Sequence, residues 1–299
     1  MDKDFGLISS IQRLSTEDGP GIRTTVFFKG CNMHCSWCHN PEAISDSYSL
    51  GIETSKCNAC GKCISVCPTQ ALKLNKNELI FDREKCNNCL KCENECFFDV
   101  FTVSGKKYSV DSLVKEIMKD QAYYKQSNGG VTFSGGEPLC QKDFLLATMI
   151  ELDKKGISTC IQSNFSIPFD DTIKEIAKLC SIFYIDLKFS TEELHKEWTG
   201  IGIEGIHKNL KELDKLDTRI VIRTPVVEMA NDNIDELCRI AEFAKSLKHL
   251  EGYYLVPYHP LGLSKYKQFG IKIVYNNRNF FDKKKLEEYQ QQVDKVIEG

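Results

Sequence analysis

The sequence has no apolar run that approaches the roughly 18 residues of a membrane-spanning helix. It has no excess of basic residues either, because 39 Lys and Arg against 42 Asp and Glu leave a net charge of −3, which argues against nucleic acid as a partner. The opening Met1-Asp2-Lys3-Asp4 leads into no apolar block of a signal peptide. These absences predict a soluble cytoplasmic protein that binds neither membrane nor nucleic acid.

Cysteine, in contrast, is abundant: the chain of 299 residues has 15, and 11 of them fall between Cys31 and Cys96. A secreted disulfide scaffold is the alternative explanation, but such domains are short and are cross-linked along their whole length. This chain is long, and 41% of its residues are hydrophobic, so it can form a core without disulfides. Clustered thiols in such a chain favour metal ligation.

Two cysteine runs with the same spacing, C-x2-C-x2-C-x3-C, follow each other in tandem. This is the spacing of bacterial ferredoxins with two clusters, in which the fourth cysteine of each run serves the other cluster. Zinc sites with four thiolates are the alternative. The expected ligands are Cys57, Cys60, Cys63 and Cys96 for one [4Fe–4S] cluster, and Cys86, Cys89, Cys92 and Cys67 for the other.

A separate group upstream, Cys31, Cys35 and Cys38, supplies only three thiols. A structural zinc site takes four protein ligands, so this group is one ligand short unless His34 or His39 completes it. An iron–sulfur cube held by three thiolates instead leaves one iron open to bind a substrate. The sequence therefore favours a catalytic cluster here, with zinc as the alternative.

Outside the cysteine runs, the chain alternates between strand and helix patterns. Helices are expected at 111–126, capped by Asp111, and at 143–155, 171–179, 204–216, 235–248 and 283–297. Strands are expected at 24–29, 131–134, 157–162, 182–187, 219–227 and 253–257. This alternation predicts an α/β fold with a parallel sheet and right-handed crossovers.

Unusual polar residues follow the first three expected strands, lie at the ends of the fourth and sixth, and occur on the fifth, and the chemistry of parallel sheets and barrels gathers at the carboxyl ends of strands. Each has a structural alternative: Gly135-Gly136 could be a turn, Asp186 and Lys188 an ion pair, and His259 a core histidine. Their shared edge nevertheless favours one functional site. The residues at this edge are the three cysteines, Ser134 to Pro138, Gln162 to Asn164, Asp186 to Lys188, Arg223, and Tyr258-His259.

At this point the sequence resembles a known family. The C-x3-C-x2-C group, with Trp37 before its last cysteine, is similar to the signature of radical S-adenosylmethionine (SAM) enzymes. The stretch from Asp18 to Arg23, Asp-Gly-Pro-Gly-Ile-Arg, and the Cys38-His39-Asn40-Pro41 segment narrow the resemblance to the glycyl-radical-enzyme activating enzymes. It extends from about Gly6 to Gly270, and the tandem runs resemble the insert of the dehydratase, decarboxylase and C–N or C–S lyase branches.

The resemblance implies a partial (β/α)6 TIM-like barrel formed by residues 1–50 and 106–299. A ferredoxin-like domain with two [4Fe–4S] clusters would be inserted at 51–105. A third [4Fe–4S] cluster, bound by Cys31, Cys35 and Cys38, would be the catalytic one. Contacts with SAM are implied for Trp37, His39, Gly135, Gly136, Glu137, Asp186, Lys188 and His259.

The implied activity is that of an oxidoreductase that cleaves SAM reductively. The resulting 5′-deoxyadenosyl radical would take hydrogen from a backbone glycine of a partner glycyl radical enzyme, and a flavodoxin- or ferredoxin-type protein would supply the electron. Asp18 to Arg23 is a candidate for part of the partner contact. The alternatives are a radical SAM enzyme acting on a small molecule or another peptide, and a non-catalytic electron-transfer protein.

One departure from the family pattern concerns the end of the third strand. Family members often have an acidic residue followed by Thr there, whereas this chain has Gln162-Ser163. The missing charge puts a bound monovalent cation at this position in doubt.

Overall fold

The computed structural model describes residues 3–299, and its strands fall into one large sheet and two small ones. The strands are β1 (Phe5–Ser15), β2 (Arg23–Phe28), β3 (Ser49–Ile52), β4 (Leu72–Asn75), β5 (Glu78–Phe81), β6 (Phe101–Ser104), β7 (Lys106–Ser109), β8 (Gly130–Gly135), β9 (Ser158–Ser163), β10 (Cys180–Asp186), β11 (Ile220–Val226) and β12 (Leu250–Pro257).

Most of the helices alternate with the strands of the large sheet. Every helix within residues 3–299 is too short or too polar to cross a membrane. The helices are α1 (Lys62–Ser65), α2 (Lys91–Asn94), α3 (Val110–Ile117), α4 (Gln121–Ser127), α5 (Lys142–Asp153), α6 (Asp171–Leu179), α7 (Glu192–Thr199), α8 (Glu204–Leu213), α9 (Ile234–Lys245), α10 (Leu263–Phe269) and α11 (Lys283–Glu298).

The large sheet has eight strands in the order β12-β11-β10-β9-β8-β2-β1-β7. The six strands from β12 to β2 run parallel, whereas β1 pairs antiparallel with both β2 and β7. In the part of the chain that the structure describes, the end strands β12 and β7 do not pair, so the barrel stays open. The predicted α/β class with a mostly parallel sheet is confirmed.

Local signals in the sequence predict several elements closely. Helix α6 has the predicted bounds, and Ile173, Ile176 and Ala177 form its buried face. Asp170 begins it, because its carboxylate accepts a hydrogen bond from the backbone N–H of Ile173 at 3.1 Å. An aspartate cap followed by apolar residues at helical spacing therefore determines this element locally.

The helix predicted at 111–126 is interrupted in the structure and has a different cap. Ser109, not Asp111, begins α3, since its hydroxyl accepts from the N–H of Ser112 at 3.2 Å. A short turn separates α3 from α4, and it buries Asp120, which accepts from Thr24 Oγ1 at 2.7 Å and from Arg13. Tertiary partners of Asp120 thus decide where the helix stops.

The cysteine-rich insert has its own hydrophobic core. It leaves and rejoins the barrel through the antiparallel pair β3 and β6, so its enclosing strands begin at Ser49 and end at Ser104. Its core includes Leu72, Leu79 and Val100 together with the side chains of cysteines from both runs. The sequence expects the insert at 51–105, and that division stays a prediction.

Candidate active site

A cavity of about 300 Å³ lies at the carboxyl ends of the parallel strands. Its volume is within the range of small-molecule sites. The predicted site residues that line it are Cys31, Cys35, Cys38, Trp37, His39, Gly135, Gly136, Asp186 and Lys188. Further lining residues include Gln162, Ser163, Asn164, Arg223, Val256 and Pro257. Glu137 and His259 are absent from this lining.

Backbone hydrogen bonds from both sides hold the loop that carries the three cysteines. On one side, the N–H of Cys31 donates to the carbonyl of Ile44 at 2.9 Å. On the other, the N–H of His34 donates to the carbonyl of Thr199 at 2.8 Å. Trp37 packs on Trp198 with ring centroids 5.8 Å apart. The cysteines are therefore presented by a loop fixed to the barrel rather than by a free turn.

The three thiols are mostly withdrawn from solvent. Burial raises the pKa of Cys38 to about 12 and also raises the pKa of Cys31 and Cys35. A buried thiolate needs a nearby cation or a metal, and Lys188 is the cation that opposes the shift at Cys35. Three thiols in a cavity that also contains charged and polar groups suit a [4Fe–4S] cluster with one open iron. Within residues 3–299, no three His, Cys, Asp or Glu side chains converge as they would around a single metal ion.

Asp186, Lys188 and Arg223 form an ion cluster on the cavity wall. Arg223 donates to Asp186 Oδ1 at 2.9 and 3.1 Å, and Lys188 Nζ lies 3.7 Å from Asp186 Oδ2. Burial opposes ionisation of Asp186, but the charges of Arg223 and Lys188 outweigh it and lower its pKa. The cluster carries one positive charge in excess, and the ammonium of Lys188 has donor capacity left for an anionic group.

Glu137 lies behind the cavity wall, and the contact with SAM expected of it stays a prediction. Its Oε1 accepts from the N–H of Leu139 at 3.0 Å and from Ser163 Oγ at 2.8 Å, and its Oε2 accepts from the N–H of Asn164 at 2.7 Å. Burial raises the pKa of Glu137 to about 7, although the hydrogen bonds from these three donors lower it. The carboxylate therefore fixes the segment after β9 that faces the cavity.

Asn164, which the sequence places at this edge without assigning it a role, lines the cavity. Its Nδ2 lies 3.7 Å from Cys31 Sγ and 3.3 Å from Asn32 Oδ1. An amide donor near a thiolate stabilises its charge and tunes the redox potential of a cluster bound to it. The position of Asn164 directly after the third parallel strand was the available signal.

His259 stacks on His39 and is not part of the lining of the main cavity, and the contact with SAM expected of it stays a prediction. The two ring centroids are 4.0 Å apart, and His259 lines a smaller space with Tyr258 and Tyr266. His39 Nε2 and His259 Nδ1 are buried and have no hydrogen-bond partner among the described residues. His259 therefore supports His39, the ring that faces the main cavity.

The Asp18 to Arg23 segment divides into two parts. Asp18 Oδ1 accepts from Gln162 Nε2 at 2.9 Å, and Gln162 Oε1 accepts from Ser134 Oγ at 2.7 Å, so Asp18 connects to the cavity. Arg23 is fully buried and donates to Thr132 Oγ1 at 2.7 Å. Arg23 is therefore a structural residue, which corrects its expected place in the partner contact.

The insert contains two further cavities, each lined by four cysteines. One is lined by Cys57, Cys60, Cys63 and Cys96, and the other by Cys67, Cys86, Cys89 and Cys92. The remaining walls are largely apolar, with Leu74 and Leu79 in the first and Leu72 and Phe81 in the second. Four thiols around an apolar space fit a [4Fe–4S] cluster, and each set takes its fourth cysteine from the other run.

Comparison with protein-family models gives three matches. The Radical SAM superfamily model matches residues 86–244, which is more than half of the chain. A 4Fe-4S dicluster domain model matches residues 56–100, and a 4Fe-4S single cluster domain model matches residues 17–74. The C-x3-C-x2-C group lies within the single-cluster match.

Curated relatives extend the likeness over almost the whole chain. The trans-4-hydroxy-L-proline dehydratase activating enzyme of Clostridioides difficile is 37% identical, over 94% of this chain and 94% of that protein. The 4-hydroxyphenylacetate decarboxylase activating enzyme of Clostridioides difficile (strain CD196) is 36% identical, over 95% of this chain and 92% of its own length. The chain belongs to the glycyl radical enzyme activating enzymes of the radical SAM superfamily. The main prediction of function and enzyme class is confirmed.

A solved structure supports the fold of this activating enzyme. A radical SAM methyltransferase from Sphaerobacter thermophilus has a TM-score of 0.53 at 10% identity, covering 97% of this chain and 74% of that one. At this identity the likeness concerns the fold alone. Family membership further establishes that the activating enzyme uses iron–sulfur clusters and SAM and acts on a glycyl radical enzyme.

Proposed function

We propose that this activating enzyme binds three [4Fe–4S] clusters through its eleven clustered cysteines and binds SAM in the cavity beside Cys31, Cys35 and Cys38. The observation that carries the proposal is that these three thiols share one cavity with the Asp186–Lys188–Arg223 ion cluster. When bound, the catalytic cluster and SAM supply the one-electron cleavage chemistry. The protein binds and orients SAM and excludes water from it.

The cavity wall suits a ligand with a zwitterionic tail and a cationic sulfur. Lys188 offers an ammonium to the carboxylate of SAM, and the backbone of Gly135-Gly136 offers carbonyls to its amino group. A Cβ at Gly135 would lie 2.3 Å from the N of Phe28, and one at Gly136 would lie 2.3 Å from the O of Gly30. Only glycine therefore lets the backbone form this wall. His39, stacked on His259, and Trp37 present rings toward the adenine.

Replacing Asp186 or Lys188 with alanine tests the SAM site. Each change removes a charge from the cavity wall, and loss of a charge-assisted contact typically costs roughly 1.5–3 kcal/mol, about a tenfold to hundredfold weakening. We expect that weakening in anaerobic SAM titrations, with no loss of iron.

The matched control for these variants is Asp171→Ala. This change breaks an exposed ion pair on the outside of the barrel, in which Asp171 Oδ1 lies 2.8 Å from Lys174 Nζ. The affinity of the Asp171→Ala variant for SAM should equal that of the unaltered protein. If Asp186→Ala and Lys188→Ala behave like this control, the ion cluster is structural and SAM binds elsewhere.

Iron content tests the number of clusters. Three plus four plus four ligands correspond to about 12 irons and about 12 sulfides per chain after anaerobic reconstitution. Iron and acid-labile sulfide analyses measure both. A fully loaded preparation that stops near four irons would contradict the two clusters assigned to the insert.

We propose that the macromolecular substrate is the glycine loop of a partner enzyme from the branch that the relatives serve. Those relatives activate trans-4-hydroxy-L-proline dehydratase and 4-hydroxyphenylacetate decarboxylase, and both align over nearly the full chain, insert included. In this proposal the barrel comprises residues 1–50 and 106–299, and the insert comprises residues 51–105. A flavodoxin- or ferredoxin-type protein donates the electrons. Co-expression with a candidate partner should give a glycyl radical signal in electron paramagnetic resonance, and a candidate without the signal is not the partner.

A further inference from the structure

Helix α10 contacts the loop that carries the three cysteines. Tyr266 lines a small space together with Cys38 and His39. Lys265 Nζ, one residue before it, donates to Asn40 Oδ1 at 2.8 Å. The first half of this seven-residue helix is therefore fixed against the segment that follows the last cysteine of the loop.

The other end of α10 contacts the insert. A Cβ added at Gly51 in β3 would lie 3.0 Å from both Gln268 Cγ and Phe269 Cζ, so these side chains pack directly on the β3 backbone. Gln268 Nε2 also donates to Thr102 Oγ1 in β6 at 3.0 Å. One short helix thus contacts both the cysteine loop of the barrel and the strands that lead into the insert.

Arg83 fastens the second cysteine run of the insert to the same helix. Its Nη1 donates to the carbonyl of Leu50 at 2.8 Å and its Nη2 to the carbonyl of Gln268 at 2.7 Å. Gly270 leaves room for the guanidinium, since a Cβ there would lie 1.9 Å from Arg83 Nε. The guanidinium also lies 4.8 Å from the ring centroid of Phe81. This arginine precedes Cys86 by three residues.

The two cysteine cavities of the insert differ in their relation to this contact. The cavity of Cys67, Cys86, Cys89 and Cys92 is also lined by Leu50 and Phe81, both of which Arg83 contacts. The other cavity is lined by Phe101, whose partner across the β3–β6 pair is Ile52. Ile52 lies further along β3 than Leu50, and therefore further from the barrel. This other cavity is also lined by Phe98, a side chain that is 45% exposed.

We infer that the insert has an inner site, which faces the barrel, and an outer site, which lies further from it. The inner site is formed by Cys67, Cys86, Cys89 and Cys92, and the outer site by Cys57, Cys60, Cys63 and Cys96. Arg83 is the positioning residue that holds the inner site toward the barrel. This inference rests on the proposed function. With clusters bound, the outer site would take one electron from a reduced flavodoxin- or ferredoxin-class donor, which would itself be oxidised by one electron. The inner site would hold the cluster that hands this electron on to the catalytic cluster of Cys31, Cys35 and Cys38, so neither insert site would change its net oxidation state or its bonds.

Removing the inner and outer sites one at a time tests their order. Cys60→Ala and Cys89→Ala are matched variants, because both are exposed and occupy the second position of their runs. The readout is paramagnetic resonance of the fully reduced protein, in which we expect magnetic coupling between the catalytic cluster and the cluster of the inner site. We expect Cys89→Ala to lose this coupling and Cys60→Ala to retain it. The reverse pattern, or equal effects of both variants, overturns the order.

Arg83→Met and Arg83→Lys test the positioning role. Loss of two charge-assisted hydrogen bonds should lower the ratio of docked to undocked insert at least about tenfold. We expect weaker magnetic coupling and slower reduction of the catalytic cluster by the protein donor, with unchanged iron content. Lysine should rescue only in part, because its point charge does not span two carbonyls as the planar guanidinium does.

The control for Arg83 is Lys85→Met, in the same turn. Lys85 is half-exposed and pairs with Asp82 at 3.0 Å, so its loss should leave the coupling unchanged. Normal coupling in fully loaded Arg83→Met protein overturns the role of Arg83. If the unaltered protein itself does not reach about 12 irons, the proposed function fails instead, and the two failures are therefore distinguishable.

Discussion

Cys35→Ala should abolish reductive cleavage of SAM while both clusters of the insert remain. Cys35 lines the main cavity, and a cluster held there by only Cys31 and Cys38 lacks its third ligand. Iron content should fall by about a third, from about 12 to about 8 per chain, because the ligands of the insert are untouched. The measurement is 5′-deoxyadenosine released under strong chemical reduction, together with iron analysis.

Cys238→Ala is the control for a general effect of losing a thiol. Cys238 lies in α9, is partly buried, and packs against the barrel core away from the cavity lining. Its variant should retain both its iron and its production of 5′-deoxyadenosine. Undiminished 5′-deoxyadenosine from Cys35→Ala would exclude the three-cysteine loop as the catalytic site.

A double replacement, Cys57→Ala with Cys86→Ala, should collapse turnover driven by a protein donor. Each cysteine lines a different cavity of the insert, so the pair damages both clusters. SAM should still bind, because no residue of the main cavity changes. A small, strong chemical reductant should still drive some cleavage, since it reaches the catalytic cluster directly. Flavodoxin-driven and dithionite-driven formation of 5′-deoxyadenosine measure the two routes side by side.

The competing role for the insert is a docking surface for the partner enzyme. It predicts a different outcome for the same double variant: protein-driven cleavage of SAM would continue, but the partner would no longer acquire its glycyl radical. That result would reject electron relay through the insert. Comparing 5′-deoxyadenosine with the glycyl radical signal in one preparation separates the two roles.

The positions of the cysteines and the strand ends were predictable because they depend on short-range spacing. Three thiols within eight residues lie on one loop, and a strand end is marked by the switch from apolar to polar residues. Since parallel strands present their carboxyl ends at one edge, Gly135, Asp186 and Lys188 were expected near those thiols, and all three line the same cavity.

The strand β1 was not predicted, and its pairing explains why. Its sequence, Phe-Gly-Leu-Ile-Ser-Ser-Ile-Gln-Arg-Leu-Ser, has little of the regular alternation that marks a half-buried strand. Antiparallel pairing with β2 on one side and β7 on the other supplies the hydrogen bonds that stabilise it. Helices α7 and α10 were also not predicted, although α7 has local signals: Thr191 caps it by accepting from the N–H of Leu194, and Gly200 ends it in the left-handed conformation.

The sequence by itself determined the ligand types, their spacing and the edge of the sheet where they gather, because these follow from local periodicity and from the handedness of βαβ units. Only the tertiary structure decided which polar groups face the cavity. Glu137 is satisfied by Ser163 and Asn164, and His259 stacks on His39, so both lie behind the wall. The contact between the insert and the barrel depends on distant partners too, since Arg83 donates to the carbonyl of Gln268 across 185 positions of sequence. Such partners meet only when the chain is folded, and no local pattern records them.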